Sequence, residues 1–297
     1  MNFFFEVLIG GLLSGVMYSL VALGFVLIYK ASGVFNFAQG AMVYCAALTF
    51  AGIADMGMPL LGAFAGAFVV MVLLGILTER LVLRPLVNQP HITLFMATIG
   101  LTFFVEGLVQ ITWGANTRRI DLGIQDEPIP YLLDTFNIVV SSFDLAAAAI
   151  AGLLVAALAL FFQYTKVGRA LRAVADDHQA ALSIGIPLQH IWAIIWAVAG
   201  FVALVAGMLW GARNGAQFAL TFVALKALPV LILGGFTSVP GAIVGGLIIG
   251  STEKLAEVYI GPSVGGGIEN WFPYVLALFF LLVRPEGLFG EKHIDRV

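Results

Sequence analysis

The sequence predicts an all-α polytopic membrane protein, and three observations carry that prediction. Of 297 residues, 61% are hydrophobic and only 10% charged, whereas an ordinary soluble domain is about 25% charged. A water-soluble fold of this composition would be left with an apolar surface, so hydrocarbon is the natural solvent. The apolar residues also fall into runs of the length a bilayer-crossing helix needs, about 20 residues. These are 7–29, 59–78, 92–112, 145–164 and 191–212, with 37–54 and 218–235 nearly as good. Finally, the runs are continuous and do not alternate with period two, which argues against a barrel.

Two further runs are short. The run 241–252 meets Glu253, Lys254 and Glu257, and 271–283 stops at Arg284-Pro285. Eight or nine helical segments are therefore expected, depending on whether the short ones span. The first run has no basic segment before it and no clear small-residue cleavage site, so it is expected to be a retained helix and not a signal peptide. Lys and Arg in the loops set the orientation. With nine crossings and an outside N-terminus, one side receives Lys30, Arg80, Arg84, Lys166, Arg169, Arg172, Arg284, Lys292 and Arg296. The other receives Arg118, Arg119, Arg213 and Lys254. The richer side is the expected cytoplasm, which puts the loop 164–190 and the C-terminus inside. The loop 113–144, with Asp121, Asp126, Glu127, Asp134 and Asp144, is then external and acidic.

Several function classes are disfavoured. The net charge of −3 offers no basic field for nucleic acid. Cys45 is the only cysteine, which rules out an internal disulfide and a cysteine-based zinc site. None of the lysines 30, 166, 226, 254 and 292 is followed by Ser or Thr, so the chain lacks the phosphate-binding loop with which a single-chain pump would hold ATP. The histidines at 91, 178, 190 and 293 form no H-E-x-x-H, and no catalytic residues, metal or cofactor are expected.

Ionisable side chains at membrane depth are costly and face a cavity or another helix. Glu106, in LTFFVEGLVQ, and Lys226, in TFVALKALPV, are of this kind. They are expected to line a translocation path, singly or as a pair; neutralisation at a helix contact or snorkelling to an interface is the alternative. Asn36 and Gln39, in GVFNFAQGA, carry amides beside a glycine at the start of an apolar run. A broken or re-entrant helix there would face protein or water. GGFTSVPGA (234–242), with Thr237 and Ser238, has the same character, and a helix-capping turn would also explain either run. Both contain F-x-x-x-x-G-A, from Phe35 and from Phe236, as an internal repeat would leave. The 34 glycines permit close helix packing.

One of the few long polar stretches is GRALRAVADDHQAALSIGI, 168–186. Leu171, Val174, His178 and Leu182 recur at helical spacing with Ala175 and Ala181 beside them, while Arg169, Arg172, Asp176 and Gln179 take the other side. Gly168 and Gly185 bracket the pattern and Pro187 stops it. A helix this short is not stable alone in water, so a membrane surface or another protein is expected to order it. Its balanced charge does not favour anionic lipid, and a solvated loop helix fits the pattern equally well.

That stretch resembles the cytoplasmic loop of permease subunits from ABC importers of branched-chain, hydrophobic amino acids. ALGFVLIYKASGVFNFAQGAM (22–42) is similar to that family's first helix and following turn. LKALPVLILGGFTSVPGAIVGGLIIG (225–250) is similar to its late glycine-rich signature, and RPEGLFG (284–290) to its ending. The resemblance covers essentially the whole chain. It implies a transport subunit of the bacterial inner membrane that works by alternating access. It also implies two cytoplasmic ATPase subunits that bind the ATP, a second similar permease subunit, and an external substrate-binding protein docking partly on 113–144. Gly168, Arg169, Arg172, Ala173, Asp176, Asp177 and Gly185 would form the ATPase contact. Asn36, Gln39, Glu106, Lys226, Thr237 and Ser238 are the candidate pathway residues. Pro229 departs from the family pattern, which has a small residue there, and a kink is expected at it. Related permeases carry urea and short amides, and the motifs do not separate these cargoes. An ion-coupled secondary transporter using Glu106 as proton carrier is the competing class, though it gives no reason for the ordered loop.

Overall fold

A computed structural model describes residues 2–86, 89–176, 178–183 and 185–290. Each of the nine apolar runs forms a helix: α1 (Asn2–Ser32), α2 (Gln39–Asp55), α3 (Leu60–Leu77), α4 (His91–Trp113), α6 (Ser142–Tyr164), α9 (Leu188–Asn214), α10 (Val223–Gly234), α11 (Val239–Tyr259) and α13 (Phe272–Val283). The remaining helices are short: α5 (Pro130–Phe136), α7 (Lys166–Asp176), α8 (His178–Ser183) and α12 (Gly261–Val264). Among the described residues five helices are long and apolar enough to cross a membrane, namely α1, α3 with its continuation to Leu86, α4 from Ile92, α6 and α9. Residues Phe218–Gly234 and Val239–Tyr259 form a pair bent by 115°, a sixth span or a re-entrant loop. The run 241–252 is thus longer than its hydropathy suggests, because α11 continues through Glu253, Lys254 and Glu257 to Tyr259. Large apolar side chains face outward on the span helices, including Leu61, Phe103, Ile111 and Leu153, as hydrocarbon solvation requires.

The chain divides into two compact units. One comprises Met1–Ala22, Gly123–Ala156 and Leu225–Val297. Within it α1 and α11 run antiparallel, backbone to backbone. A Cβ on Gly15 would fall 2.4 Å from the Gly246 carbonyl oxygen, and one on Gly250 would fall 2.4 Å from that of Gly11. Such approach is available only to glycine, and it is how helices gain packing energy where lipid supplies no hydrophobic drive. Ser19 Oγ donates to Gly15 O at 2.9 Å and reaches Ile243 O across the seam at 3.3 Å. The external-type loop is more ordered than its composition suggests. It holds α5, closed by Asn137 in the left-handed region (φ 51°), a conformation that Asn tolerates at a helix end. Glu6 Oε2 accepts the Val139 N–H at 3.1 Å, and Asn2 Nδ2 donates to Phe136 O at 2.8 Å.

Helix α10 runs through Pro229. A proline has no N–H to give the carbonyl four residues earlier, which here belongs to Leu225. The Tyr274 hydroxyl of α13 donates to that carbonyl at 2.7 Å, so α13 supplies the bond the proline removed.

The other unit comprises Leu23–Leu122 and Ala157–Ala224. There α9 packs on α2 and α3, and again the contacts are glycine against carbonyl. A Cβ on Gly200 would meet Met71 O at 2.5 Å, one on Gly75 would meet Trp196 O at 2.4 Å, and one on Gly207 would meet Val43 O at 2.5 Å. The end of α3 passes into a wider turn, Thr78–Leu83, closed by Arg84 on the buried Glu79 through two hydrogen bonds of 3.1 and 2.8 Å. At the opposite end Arg118 pairs with Asp55, donates to Trp113 O at 2.9 Å and forms a two-residue bridge with Ala216. It thereby ties together the last turns of α2, α4 and α9.

Three variants test these contacts through the thermal midpoint of the purified chain in detergent. Gly15→Ala forces its methyl into the Gly246 carbonyl and is expected to cost about 1–3 kcal/mol by overpacking. Gly10→Ala, one residue from the seam with nothing within 4 Å, is expected to be neutral or stabilising by about 0.5–1 kcal/mol. Tyr274→Phe strands the Leu225 carbonyl and is expected to cost about 1–3 kcal/mol.

Candidate functional site

Three groups of residues bear on function. The first is the polar segment after α6, within the second unit. Its helix does not begin at the bracketing Gly168. Helix α7 starts at Lys166, two residues before Gly168, and α8 follows it. The physical reason is the cap: Thr165 precedes α7 and its Oγ1 accepts the Gly168 N–H at 3.1 Å, the bond an N-cap makes to the third helical residue. Gly168 sits in the α6–α7 corner, where a Cβ would lie 2.0 Å from Phe162 O. Leu171, Val174 and Ala181 are buried as the pattern requires, while Leu182 is exposed.

The arginines have a structural task. α6 ends at Tyr164, leaving its last carbonyls without helical donors. Arg172 donates to Phe162 O at 2.6 Å and to Gln163 O at 3.2 Å, and Arg169 to Tyr164 O at 3.3 Å. Arg169 remains exposed while Arg172 and Ala173 are half-buried; Gly185 is exposed with φ +83°. Asp177 and the side chain of Asp176 lie outside the described residues.

The second group is also in that unit. Asn36 is buried before α2, its Oδ1 accepting the Ala38 N–H at 3.1 Å and its Nδ2 reaching Gln39 Oε1 at 3.2 Å. Gln39 Nε2 is fully buried without a partner and lies against Gly24, where a Cβ would be 2.3 Å away. Phe25, Phe35, Phe37 and Phe95 stack around this turn. Glu106 is half-buried on α4; it and Gln110, one turn on, lie near the buried Tyr44 hydroxyl of α2, which makes no hydrogen bond of good geometry.

The third group is in the first unit. Lys226 does find a carboxylate, and sequence reasoning missed which one. Its Nζ is 3.2 Å from Glu253 Oε1 and 3.9 Å from Glu269 Oε1. Glu253 is 1% exposed and also accepts the Tyr18 hydroxyl on Oε1 at 3.2 Å, while its Oε2 is buried without a partner. Lys254 pairs with Glu269 Oε2 at 3.0 Å. The chain around Glu269 is held by Glu257, which accepts the N–H groups of Gly267 and Glu269, each at 2.9 Å. A signal was present: Gly246, Gly250, Glu253 and Glu257 share one face of a helix, so the acid continues the seam that faces α1. Side chains lean toward the N-terminus of their own helix, and on antiparallel helices Tyr18 and Glu253 therefore lean toward each other.

Of the remaining candidates, Ser238 is the N-cap of α11, its Oγ accepting the Gly241 N–H at 3.0 Å. Thr237 is half-buried in the turn before it. The two F-x-x-x-x-G-A runs thus open α2 and α11. The sequence Gly261-Pro262-Ser263-Val264-Gly265 has the G-x-S-x-G spacing but forms the short helix α12, and Ser263 Oγ donates to the Ile260 carbonyl at 2.6 Å. It is no strand-to-helix elbow.

Among the described residues, long apolar helices with outward-facing apolar side chains, glycine seams and cations paired with buried carboxylates define a polytopic membrane protein. The chain belongs to the family of branched-chain amino acid transport system permease components, whose model matches residues 7–284. It is 28% identical over 307 residues to the high-affinity branched-chain amino acid transport system permease protein LivH of Escherichia coli (strain K12), covering 99% of this chain and 98% of that protein. It is 27% identical to the corresponding BraD protein of Pseudomonas aeruginosa, with the same coverage. A more distant relative, 23% identical over 84% of this chain and 74% of its own length, is the fructose import permease protein FruG of Bifidobacterium longum.

The corner at Phe162 offers a direct test. Arg172→Ala removes the donors to two helix-end carbonyls and is expected to raise amide hydrogen exchange in 159–172 about tenfold or more, as loss of charge-assisted bonds does. Gly168→Ala, whose methyl collides with Phe162 O, should raise exchange in the same segment.

Proposed function

We propose that the chain is the membrane permease subunit of an ATP-driven importer for branched-chain or other apolar amino acids. The observation that carries this is the family match across 7–284, joined to relatives aligned over nearly their whole length. With no phosphate-binding loop in the sequence, ATP is bound and hydrolysed on two separate cytoplasmic ATPase subunits, one of which docks on the segment 164–190. The exposed Arg169, the half-buried Ala173 and the rigid α6–α7 corner suit that docking: a helix braced by its arginines transmits a push to α6 instead of absorbing it. Gly168, Arg172, Asp176, Asp177 and Gly185 complete the contact set.

Cargo is delivered by an external binding protein that docks partly on 113–144, and it passes between this chain and a second, similar permease subunit by alternating access. The chain performs no covalent chemistry. It lies in the bacterial inner membrane with its C-terminus in the cytoplasm. Asn36, Gln39, Glu106, Lys226, Thr237 and Ser238 border the path, and glycine seams with few side-chain locks allow helices to shift along it.

Gentle solubilisation of the tagged chain from its host tests the assembly. Two ATPase chains and a second permease are expected to come with it, and Arg169→Glu is expected to reduce ATPase recovery while leaving the membrane-inserted amount unchanged. A partnerless oligomer that still carries out uptake in vesicles would overturn the reading.

A further inference from the structure

We propose that Lys226 and Glu253 form a recognition site for the zwitterionic head of an α-amino acid. Glu253 takes the ammonium group and Lys226 the carboxylate. The inference rests on the reading of the chain as an amino-acid permease and names the side chains that make it one.

Four observations converge. Glu253 is 1% exposed, and its Oε2 has no donor, an arrangement that costs free energy unless a donor arrives. An ammonium group brings three donors. Lys226 is not saturated either: its Nζ makes one close contact, at 3.2 Å to Glu253, with Glu269 at 3.9 Å. Its side chain is 30% exposed, so the pair can be reached from the lysine side. The surrounding groups are braced: Tyr18 holds Glu253 Oε1, while Lys254 and Glu257 hold Glu269. A preorganised pair loses little on binding.

The charge balance fits the ligand. A zwitterion entering a low-dielectric region must have both charges matched at once, because an unpaired buried charge is strongly penalised. One cation and one anion 3.2 Å apart supply that match without changing the net charge of the site. Binding exchanges one internal ion pair for two intermolecular ones: the substrate ammonium moves onto Glu253 Oε2, and its carboxylate onto the Lys226 ammonium. No covalent bond or proton need move. An uncharged cargo would have no use for either group.

The test compares leucine uptake by the intact transport system in cells carrying Lys226→Met, Glu253→Gln, or both. The amount of chain in the membrane and the partner chains recovered with it are measured in parallel. Each single variant is expected to lose uptake about tenfold or more, the scale of a lost charged hydrogen bond. The double variant, which leaves no unpaired buried charge, is expected to accumulate and assemble like wild type yet stay as inactive as the singles. Restored uptake in the double variant would make the pair a structural lock and overturn the proposal. Failure of the double variant to accumulate would make it an assembly element and overturn it too. Absence of amino-acid uptake by the wild-type system is a separate outcome: it would remove the permease reading, and this inference with it.

Discussion

A polar group inside hydrocarbon has no water to fall back on, and the structure follows from meeting that requirement group by group. Backbone amides meet it by forming helices. Where a helix is interrupted, a specific side chain takes over. Tyr274 replaces the donor lost at Pro229, Arg172 and Arg169 cover the end of α6, and Ser238 opens α11. Lys226, the one lysine in the middle of an apolar run, is met by Glu253 and Glu269. Places where the requirement is left unmet, among them Gln39 Nε2, the Tyr44 hydroxyl and Glu253 Oε2, are correspondingly informative.

Glycine is the second theme, and its use is selective. Gly11, Gly15, Gly246 and Gly250 in one unit, and Gly75, Gly200 and Gly207 in the other, bring backbones into direct contact. Gly10, Gly100 and Gly107 have nothing near them. Contacts of this kind rest on shape and dispersion and lack directional bonds, which suits the proposed shift of helices against one another. Among the described residues the ion-pair locks are local, at Glu79–Arg84, Arg118–Asp55 and the Lys226 network.

The segment 166–183, the proposed coupling element, differs from an ordinary surface loop in how it is held. Its apolar side is buried through Leu171, Val174 and Ala181, and its arginines are turned back onto α6. What remains outward is a small, stiff surface. Rigidity at this corner comes from Thr165, Gly168 and Arg172 acting on the same few carbonyls, so a force applied to α7 is delivered to a spanning helix.

The sequence alone determined the class of solvent, the position of every long helix and the family, because hydropathy and motif order are local properties that need no contact to be read. It also marked Lys226, Asn36 and Gln39 as residues needing an explanation, since their cost at membrane depth is intrinsic. It did not reveal Glu253, which stands after a run of apolar residues and reads as the end of a helix. Nor did it reveal Thr165 as the cap that starts α7 ahead of Gly168, or Tyr274 as the donor for Leu225. The cap is local, but the partners of Glu253 and Leu225 lie far away in the chain, with Tyr18 and Glu253 separated by 235 positions. Burial, and with it the strength of an ion pair, is set by what packs around the pair, so only the tertiary structure could decide which charge Lys226 meets.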